Sequence, residues 1–203
     1  EVPGVKSAAL SFFIPATIDF MQRAVIPEGY DFPPGQESTV VFADVVDHHY
    51  FETLGVPILR GRGFLASDIA NSPPVAIVNE AFAQKYLGPN PIGKRIRLNN
   101  AKSPWVEIVG MTVTGKHVFN TEPPLEFLYL PLSQNPLPRM TMVVETAGDP
   151  VGLIGPMREM VRSVDPNLPI FRVRTMDDLF EQRTVKSLRV LNGVFASAGF
   201  VGL

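Results

Sequence analysis

The sequence predicts an α+β fold, and three observations predict it. Twenty prolines in 203 residues are roughly twice the usual share, which argues against a mainly helical protein and for short strands joined by rigid turns. Runs rich in β-branched residues recur between Val5 and Thr146. The clearest apolar stripe at helical spacing comes only in the last quarter of the chain. A strand, a helix and a strand at the C-terminal end are therefore expected to pair with the N-terminal strands, with a strand-rich insertion between them.

"VKSAALSFFI" (Val5 to Ile14) reads as the first strand. The composition changes from Pro15 to Glu37, where "PEGYDFPPGQE" is a loop by its Pro and Gly content. "STVVFADVV" (Ser38 to Val46) is a buried-looking strand, and "HHYFETLG" a short helix closed by Gly55, a position that favours φ > 0. In "VAIVNEAFAQKYLGPNPIGKRIRL" (Val75 to Leu98), Asn79 is a good N-cap after a strand. Phe82 with Tyr86 and Ala83 with Leu87 make one apolar helix face, Gly88 ends it, and Pro89 and Pro91 forbid its continuation. "KRIRL" begins a strand with Ile96 and Leu98 facing inward. "WVEIVGMTV", "LEFLYLPL" and "RMTMVVET" are further strands. Asp149 and Pro150 fit N-cap and N1 positions. The stripe of Leu153, Met157, Met160, Val161 and Val164 is most simply core, although Pro156 sits within it and the regular helix is expected to begin there. "IFRVR" (Ile170 to Arg174) reads as a strand, and Thr175 with Asp178 as a capping box.

A net charge of -2 gives no electrostatic footprint for nucleic acid. With no cysteine, a disulfide scaffold and a thiolate metal site are excluded, and both cytosol and periplasm remain open. The hydrophobic share of 45% and mean hydropathy of +0.13 are apolar for a soluble fragment but not those of a membrane bundle. The chain opens on Glu1 with no signal-peptide pattern and reads as a segment of a longer protein. "VLNGVFASAGFVGL" (Val190 to Leu203) carries no charge. It is shorter than the roughly 20 residues a spanning helix needs, and reads either as a truncated span or as a buried terminal helix.

No catalytic constellation can be assembled. "GRGFLA" has the spelling of a dinucleotide fingerprint, but "SDIANSPP" after it cannot start the helix that would meet a phosphate. Asp44, Asp47, His48 and His49 have metal-ligand chemistry. Adjacent histidines point apart on a strand or helix, so a cap for the next helix is the better reading. There is no nucleophile elbow and no phosphate-binding loop. Glu52, Glu80, Glu107 and Glu126 are separated, and Trp105 reads as a core or edge anchor. No cofactor and no metal are expected.

The ordered run "YFETLGVPILRGRGF", "VAIVNEAFAQKYLGPNPIGKRIRL", "VEIVGMTV" and "LYLPL" resembles the extracytoplasmic core domain of MacB-like, FtsX-like ABC transporter permeases. The residues that carry the resemblance include Tyr50, Phe51, Gly55, Arg62, Asn79, Pro91, Gly93, Lys94, Gly110 and Pro131. The resemblance extends from about Phe42 to Leu203, and Pro15 to Glu37 supports it least.

The resemblance implies a porter-like α/β lobe built from residues 1–49 and 133–183, an inserted mostly-β lobe at 50–132 with a core around Phe64, Val78, Phe82, Tyr86 and Trp105, and the start of a transmembrane helix at 184–203. It implies no catalytic, cofactor or metal residues; the motif residues are structural. It further implies an extracytoplasmic or periplasmic domain of an inner-membrane permease, joined to the membrane through flanking helices. The partners implied are a cytoplasmic ABC ATPase domain or subunit and a second copy as a homodimer, with no nucleic acid. In that setting the domain relays conformational change for export or mechanotransmission. A rival reading is a ligand-binding or sensor module for a peptide or lipid, with Phe20, Tyr30 and Phe32 lining a groove.

Overall fold

The computed structural model describes residues 2–14, 21–115 and 123–181. In chain order the strands and helices are β1 (Val5–Ser11), β2 (Met21–Pro27), β3 (Thr39–Val46), α1 (Tyr50–Thr53), β4 (Ile58–Gly61), β5 (Val75–Asn79), α2 (Glu80–Phe82), β6 (Arg95–Leu98), β7 (Trp105–Thr112), β8 (Phe127–Pro131), β9 (Thr141–Thr146), α3 (Ile154–Val164) and α4 (Met176–Phe180). A π turn, Ala83–Leu87, continues α2, and a 3-10 turn, Val151–Leu153, precedes α3. The chain forms two compact units, one of Ser7–Glu145 and one of Glu1–Lys6 with Thr146–Leu203.

The larger unit is built on a closed barrel. β2 pairs antiparallel with β3 and with β6, and β6 pairs antiparallel with β7. β7 runs parallel to β5, β5 antiparallel to β8, and β8 parallel to β3. Following these six pairings returns to β2, so the six strands close into a mixed barrel with no free edge between them. β4 adds outside on β7, and β1 then β9 extend the sheet beyond β3.

The two-residue period of a strand sends alternate side chains to two different cores. Val25, Val41, Ala43, Val45, Ala76, Val78, Ile96, Val106, Ile108, Leu128 and Leu130 fill the barrel, joined by Phe82, Ala83, Tyr86 and Leu87 from α2 and its π turn. The intervening residues Val46, Val75, Ile77, Phe127 and Tyr129 face outward into a second cluster with Ala9, Phe13, Tyr50, Phe51 and Phe64. β5 and β8 are consequently buried on both faces, which is why both read as near-continuous apolar runs.

Four expectations need correction. The segment 50–132 has no core of its own: Val78, Phe82 and Tyr86 pack with Val25, Val41 and Val45, because β2 and β3 supply barrel staves. Phe64 belongs to the outer cluster. Trp105, out of phase with the inward Val106, lies outside the barrel under Arg97, whose guanidinium carbon is 4.1 Å from the ring centroid. Met21–Pro27, inside the stretch read as loop, is a strand; Gln22 and Arg23 interrupt its apolar alternation and hid it. The strands of the two expected lobes also meet, since β3 precedes residue 50 and pairs with β8 beyond it.

In the smaller unit the Ala147 N–H donates to the Gly4 carbonyl at 2.9 Å, and Gly4, at φ +90°, faces the Leu153 side chain. Asp149 accepts the Val151 N–H, as an N-cap would, before the 3-10 turn. α3 begins at Ile154, two residues before Pro156, which falls in the first turn where no intrahelical N–H is lost. Its apolar stripe is not core in the described residues: no residue of α3 is buried, and Val164 is 75% exposed. Ile170–Arg174 forms no strand, because Arg172 turns to φ +54°, which no strand residue adopts. The capping box of α4 forms as expected, with Thr175 Oγ1 accepting the Asp178 N–H and the Thr175 N–H donating to Asp178. The segment 184–203, read as the start of a span, lies outside the described residues, and among those no helix is long and apolar enough to cross a membrane.

Candidate functional site

The motif residues fall into three groups, each serving backbone geometry. In the first, Gly61 and Gly110 are paired across β4 and β7. A Cβ on Gly110 would lie 2.2 Å from the Arg62 carbonyl oxygen, and one on Gly61 would lie 2.1 Å from the Val109 carbonyl oxygen. The Gly61 backbone also sits at φ +72°. Immediately after, Arg62 turns back on its own loop. Its guanidinium donates to both carboxylate oxygens of Asp68, at 2.7 and 3.0 Å, and to the Gly63 carbonyl. Asp68 also accepts the Leu65 N–H at 2.8 Å. This closed loop seats Phe64 in the outer core.

The P-I-G-K segment forms the second group. Pro91 accepts the Lys94 N–H, Gly93 at φ +79° donates its N–H to Ile108, and the Ile108 N–H returns to the Lys94 carbonyl. Lys94 Nζ reaches the Leu87 carbonyl, supplying a cation and a donor to the end of the π turn. Asn79 ties the same helical segment at its start. Its Oδ1 accepts the Phe82 N–H as a cap and the Phe127 N–H of β8, both at 3.0 Å, and its Nδ2 donates to the Leu125 carbonyl at 2.7 Å. The cap was legible; the staple to β8 was not, because it depends on a partner 46 to 48 residues away.

The third group is aromatic. Tyr50 and Phe51 both lie against Tyr129, at 5.9 and 5.1 Å between centroids. Gly55, at φ +62°, closes α1 in a Schellman arrangement, with Val56 N–H to Phe51 and Gly55 N–H to Glu52. Pro131 ends β8 and its carbonyl accepts from both Gln134 and Asn135. Beside this group Asp44, fully buried, faces outward from β3 and contacts Ser11 Oγ at 2.7 Å and the Phe13 N–H at 3.0 Å. Burial pushes its carboxyl up to about 7 against the pull of those hydrogen bonds. Tyr129 and Tyr50 are raised by burial first, with the Asp44 charge adding.

Sequence reasoning singled out Asp44 only as a weak metal ligand. Among the described residues no group of histidine, aspartate and glutamate could hold a metal, and His48 and His49 stack on each other at 4.0 Å. Gln134 was missed altogether. It accepts the Val75 N–H and places its amide nitrogen 2.9–3.2 Å from Ser72 Oγ and the Ile69 and Pro73 carbonyls. The two clefts described are shallow, about 290 Å³ over Val46, Phe64 and Leu132 and about 260 Å³ over Val75, Leu98 and Gln134.

Among the described residues the motif positions cap helices, open turns and pin loops around a packed barrel. The chain belongs to the MacB-like periplasmic core domain family, whose description matches residues 3–153. It is thus an extracytoplasmic domain of a MacB-like ABC transporter permease, a non-catalytic family. Three solved structures share its fold. The periplasmic region of MacB from Actinobacillus actinomycetemcomitans aligns at a TM-score of 0.55 with 16% identity, over 80% of this chain and 68% of that one. The extracellular domain of the noncanonic ABC-type transporter YknZ from Gram-positive bacteria aligns at 0.55 with 17% identity, over 82% and 78%. A domain of a putative permease protein from Porphyromonas gingivalis aligns at 0.54 with 18% identity, over 94% and 85%. Comparison with curated protein sequences gave no match.

Proposed function

We propose that this domain relays conformational change between a cytoplasmic ABC ATPase and the outside of the cell, for export or mechanotransmission, and binds no cargo in its own core. The observation that carries this reading is the barrel interior. Side chains from all six strands and from α2 fill it, so the barrel is built to move as a body rather than to open around a ligand. The ligand-binding alternative relied on the aromatics of the early loop. Tyr30 instead packs edge-on against Tyr86 at 5.2 Å and against Phe32 at 4.9 Å, which uses it as a barrel-end cover. Phe20 lies outside the described residues.

In this proposal the permease sits in the inner membrane, held there by helices that flank the domain, one of them beginning at 184–203. A second copy of the chain is a candidate partner. This chain contains no cysteine, so cysteines introduced at the exposed Ile69 and Val164 are the only ones in the domain to carry spin labels. In the full transporter reconstituted with its ATPase, the label distance distribution should differ between nucleotide-free and ATP-trapped states. Identical distributions in every nucleotide state would refute the relay. A peptide or lipid fraction that co-purifies stoichiometrically and alters the distribution without ATP would favour the sensor reading.

A further inference from the structure

Ser11, Phe13 and Asp44 form a hydrogen-bond ring whose proton count can be worked out from chemistry. Ser11 Oγ contacts the Phe13 carbonyl oxygen and, at 2.7 Å, Asp44 Oδ2. A carbonyl oxygen only accepts, and a hydroxyl has one proton to give. Both contacts are hydrogen bonds only when Asp44 carries a proton on Oδ2 and donates it to Ser11, which donates onward to Phe13. Asp44 Oδ1 meanwhile accepts the Phe13 N–H at 3.0 Å, so the ring closes on both polar groups of one residue. Removing the proton turns the Ser11 hydroxyl to the carboxylate and leaves the Phe13 carbonyl without that donor.

The surroundings favour the proton. Ser11, Asp44 and Tyr129 are each buried to 3% exposure or less, and Tyr129 is the direct neighbour of Asp44 across β3 and β8. The titratable groups facing the carboxyl are the Tyr129 phenol from β8 and the Tyr50 phenol from α1, both neutral and both raised chiefly by burial. From the β1 side it meets Ser11 and the Phe12–Phe13 backbone; Arg139 lies over the Phe12 ring at 5.9 Å. At the strand end, Asp47 is occupied by the Leu10 and His49 N–H groups. An isolated buried carboxylate is costly, whereas its neutral form here is fully hydrogen-bonded.

We propose that this ring is a proton-dependent latch: a proton on Asp44 fastens the C-terminal end of β1 to the barrel, and its loss turns the Ser11 donor away from the Phe13 carbonyl and loosens that end. The part released is substantial, since Phe13 is 1% exposed and packs on Phe127 at 6.1 Å. An extracytoplasmic domain meets a less buffered pH than the cytosol, so the latch would make this end of β1 responsive to external acidity.

Amide hydrogen exchange by NMR on the full chain tests this, with intrinsic exchange rates divided out. The Phe12 N–H, bonded to Val45, and the Phe13 N–H report the latch; the Ile108 N–H, bonded to Lys94 inside the barrel, is the reference. Between about pH 5 and about pH 9, latch protection relative to the reference should fall at least about tenfold. In Asp44→Asn the amide can donate to Ser11 and still accept from Phe13, so protection should stay high and flat. A flat ratio in the wild type, or an equal fall in Asp44→Asn, overturns the proposal. Should that variant not fold, the carboxyl carbon shift of Asp44 in the wild type decides: a group already ionised at about pH 5, near the ordinary aspartate range, overturns it as well.

Discussion

Gly61 and Gly110 face each other across β4 and β7 with the backbone of each strand occupying the space a Cβ of the other would need. The contact partners are carbonyl oxygens, of Val109 and Arg62, so no side-chain rotation can relieve an added methyl. Gly110→Ala should therefore cost about 3 kcal/mol, the upper range for overpacking. Chemical denaturation would measure it. The cost should concentrate in β4 and the Arg62–Asp68 loop, with faster exchange at the Arg62 N–H, which bonds Val109. A loss of less than about 0.5 kcal/mol, the range of an ordinary surface change, would mean that the strands part easily.

Asn79 joins α2 to β8 through three hydrogen bonds in a site with no solvent access. Asn79→Ala removes the cap, worth about 1 kcal/mol. It also removes the donor to the Leu125 carbonyl, at about 1–3 kcal/mol for a buried group left unsatisfied. The expected loss is about 3 kcal/mol in total. Asn79→Ser should restore only the cap, recovering about 1 kcal/mol. If serine and alanine are equally destabilised, the cap contributes nothing and the staple alone matters.

The strands other than β2 and β4, the start of α2, the end of α1 and the capping box of α4 were legible because β-branched runs, Asn79, Gly55 and the Thr175–Asp178 box act through neighbours in sequence. What escaped was closure. The barrel exists because β2 pairs with both β3 and β6, and β2 has the weakest pattern of the nine strands: Gln22 and Arg23 break its alternation and Pro27 ends it. Without β2 the remaining strands form one open sheet, with β6 and β3 on either side of the gap. The motif residues were expected to be structural, and the partners of Arg62 and Gly110 were not foreseen: Asp68 and the Arg62 carbonyl are placed by tertiary approach, and no local spacing encodes them. Asp44 was noticed for its chemistry and misread, since only burial turns a possible ligand into a proton donor.

Lys94→Met should test how much the end of the π turn depends on one ammonium group. Nζ meets the Leu87 carbonyl, so methionine keeps an unbranched apolar side chain and removes the donor. A loss of about 1 kcal/mol is expected, with selective deprotection of the Gly88 N–H that closes the turn onto Ala83. Uniform destabilisation without a local change would point to packing rather than capping.

The Arg62–Asp68 pair is half in solvent on the arginine side, at 38% side-chain exposure against 7% for Asp68. Asp68→Asn should therefore cost only about 1 kcal/mol, most of it from lost bidentate geometry. Burial works to raise the Asp68 carboxyl, but the Arg62 hydrogen bond, the Leu65 N–H and the Arg62 charge together hold it below the ordinary aspartate range. A lowered pKa contributes stability that is present above the unfolded value and is lost as pH falls through the folded value. The Arg62–Asp68 loop should thus loosen only in strong acid, seen as exchange at the Leu65 N–H. Loosening near neutral pH would contradict the assigned direction.

Asp44 carries the opposite sign, and the two carboxyls together set the shape of the stability profile. Its pKa is pushed up to about 7 by burial, so between the unfolded aspartate value and neutrality the folded protein binds more protons than the unfolded one. Stability from this group is complete below about pH 4, declines as pH rises, and is gone above about pH 7. The full excursion is on the order of a few kcal/mol, reduced by whatever relaxation follows release of the β1 end. Asp44→Asn should flatten the decline while leaving the acid limb of Asp68 in place, so the two variants separate the two limbs. The measurement is urea denaturation from about pH 2 to about pH 9 for wild type, Asp44→Asn and Asp68→Asn. The wild type should be more stable at about pH 5 than at about pH 8, and Asp44→Asn nearly equal at both. A wild type that gains stability over that interval would show Asp44 ionised in the folded state throughout.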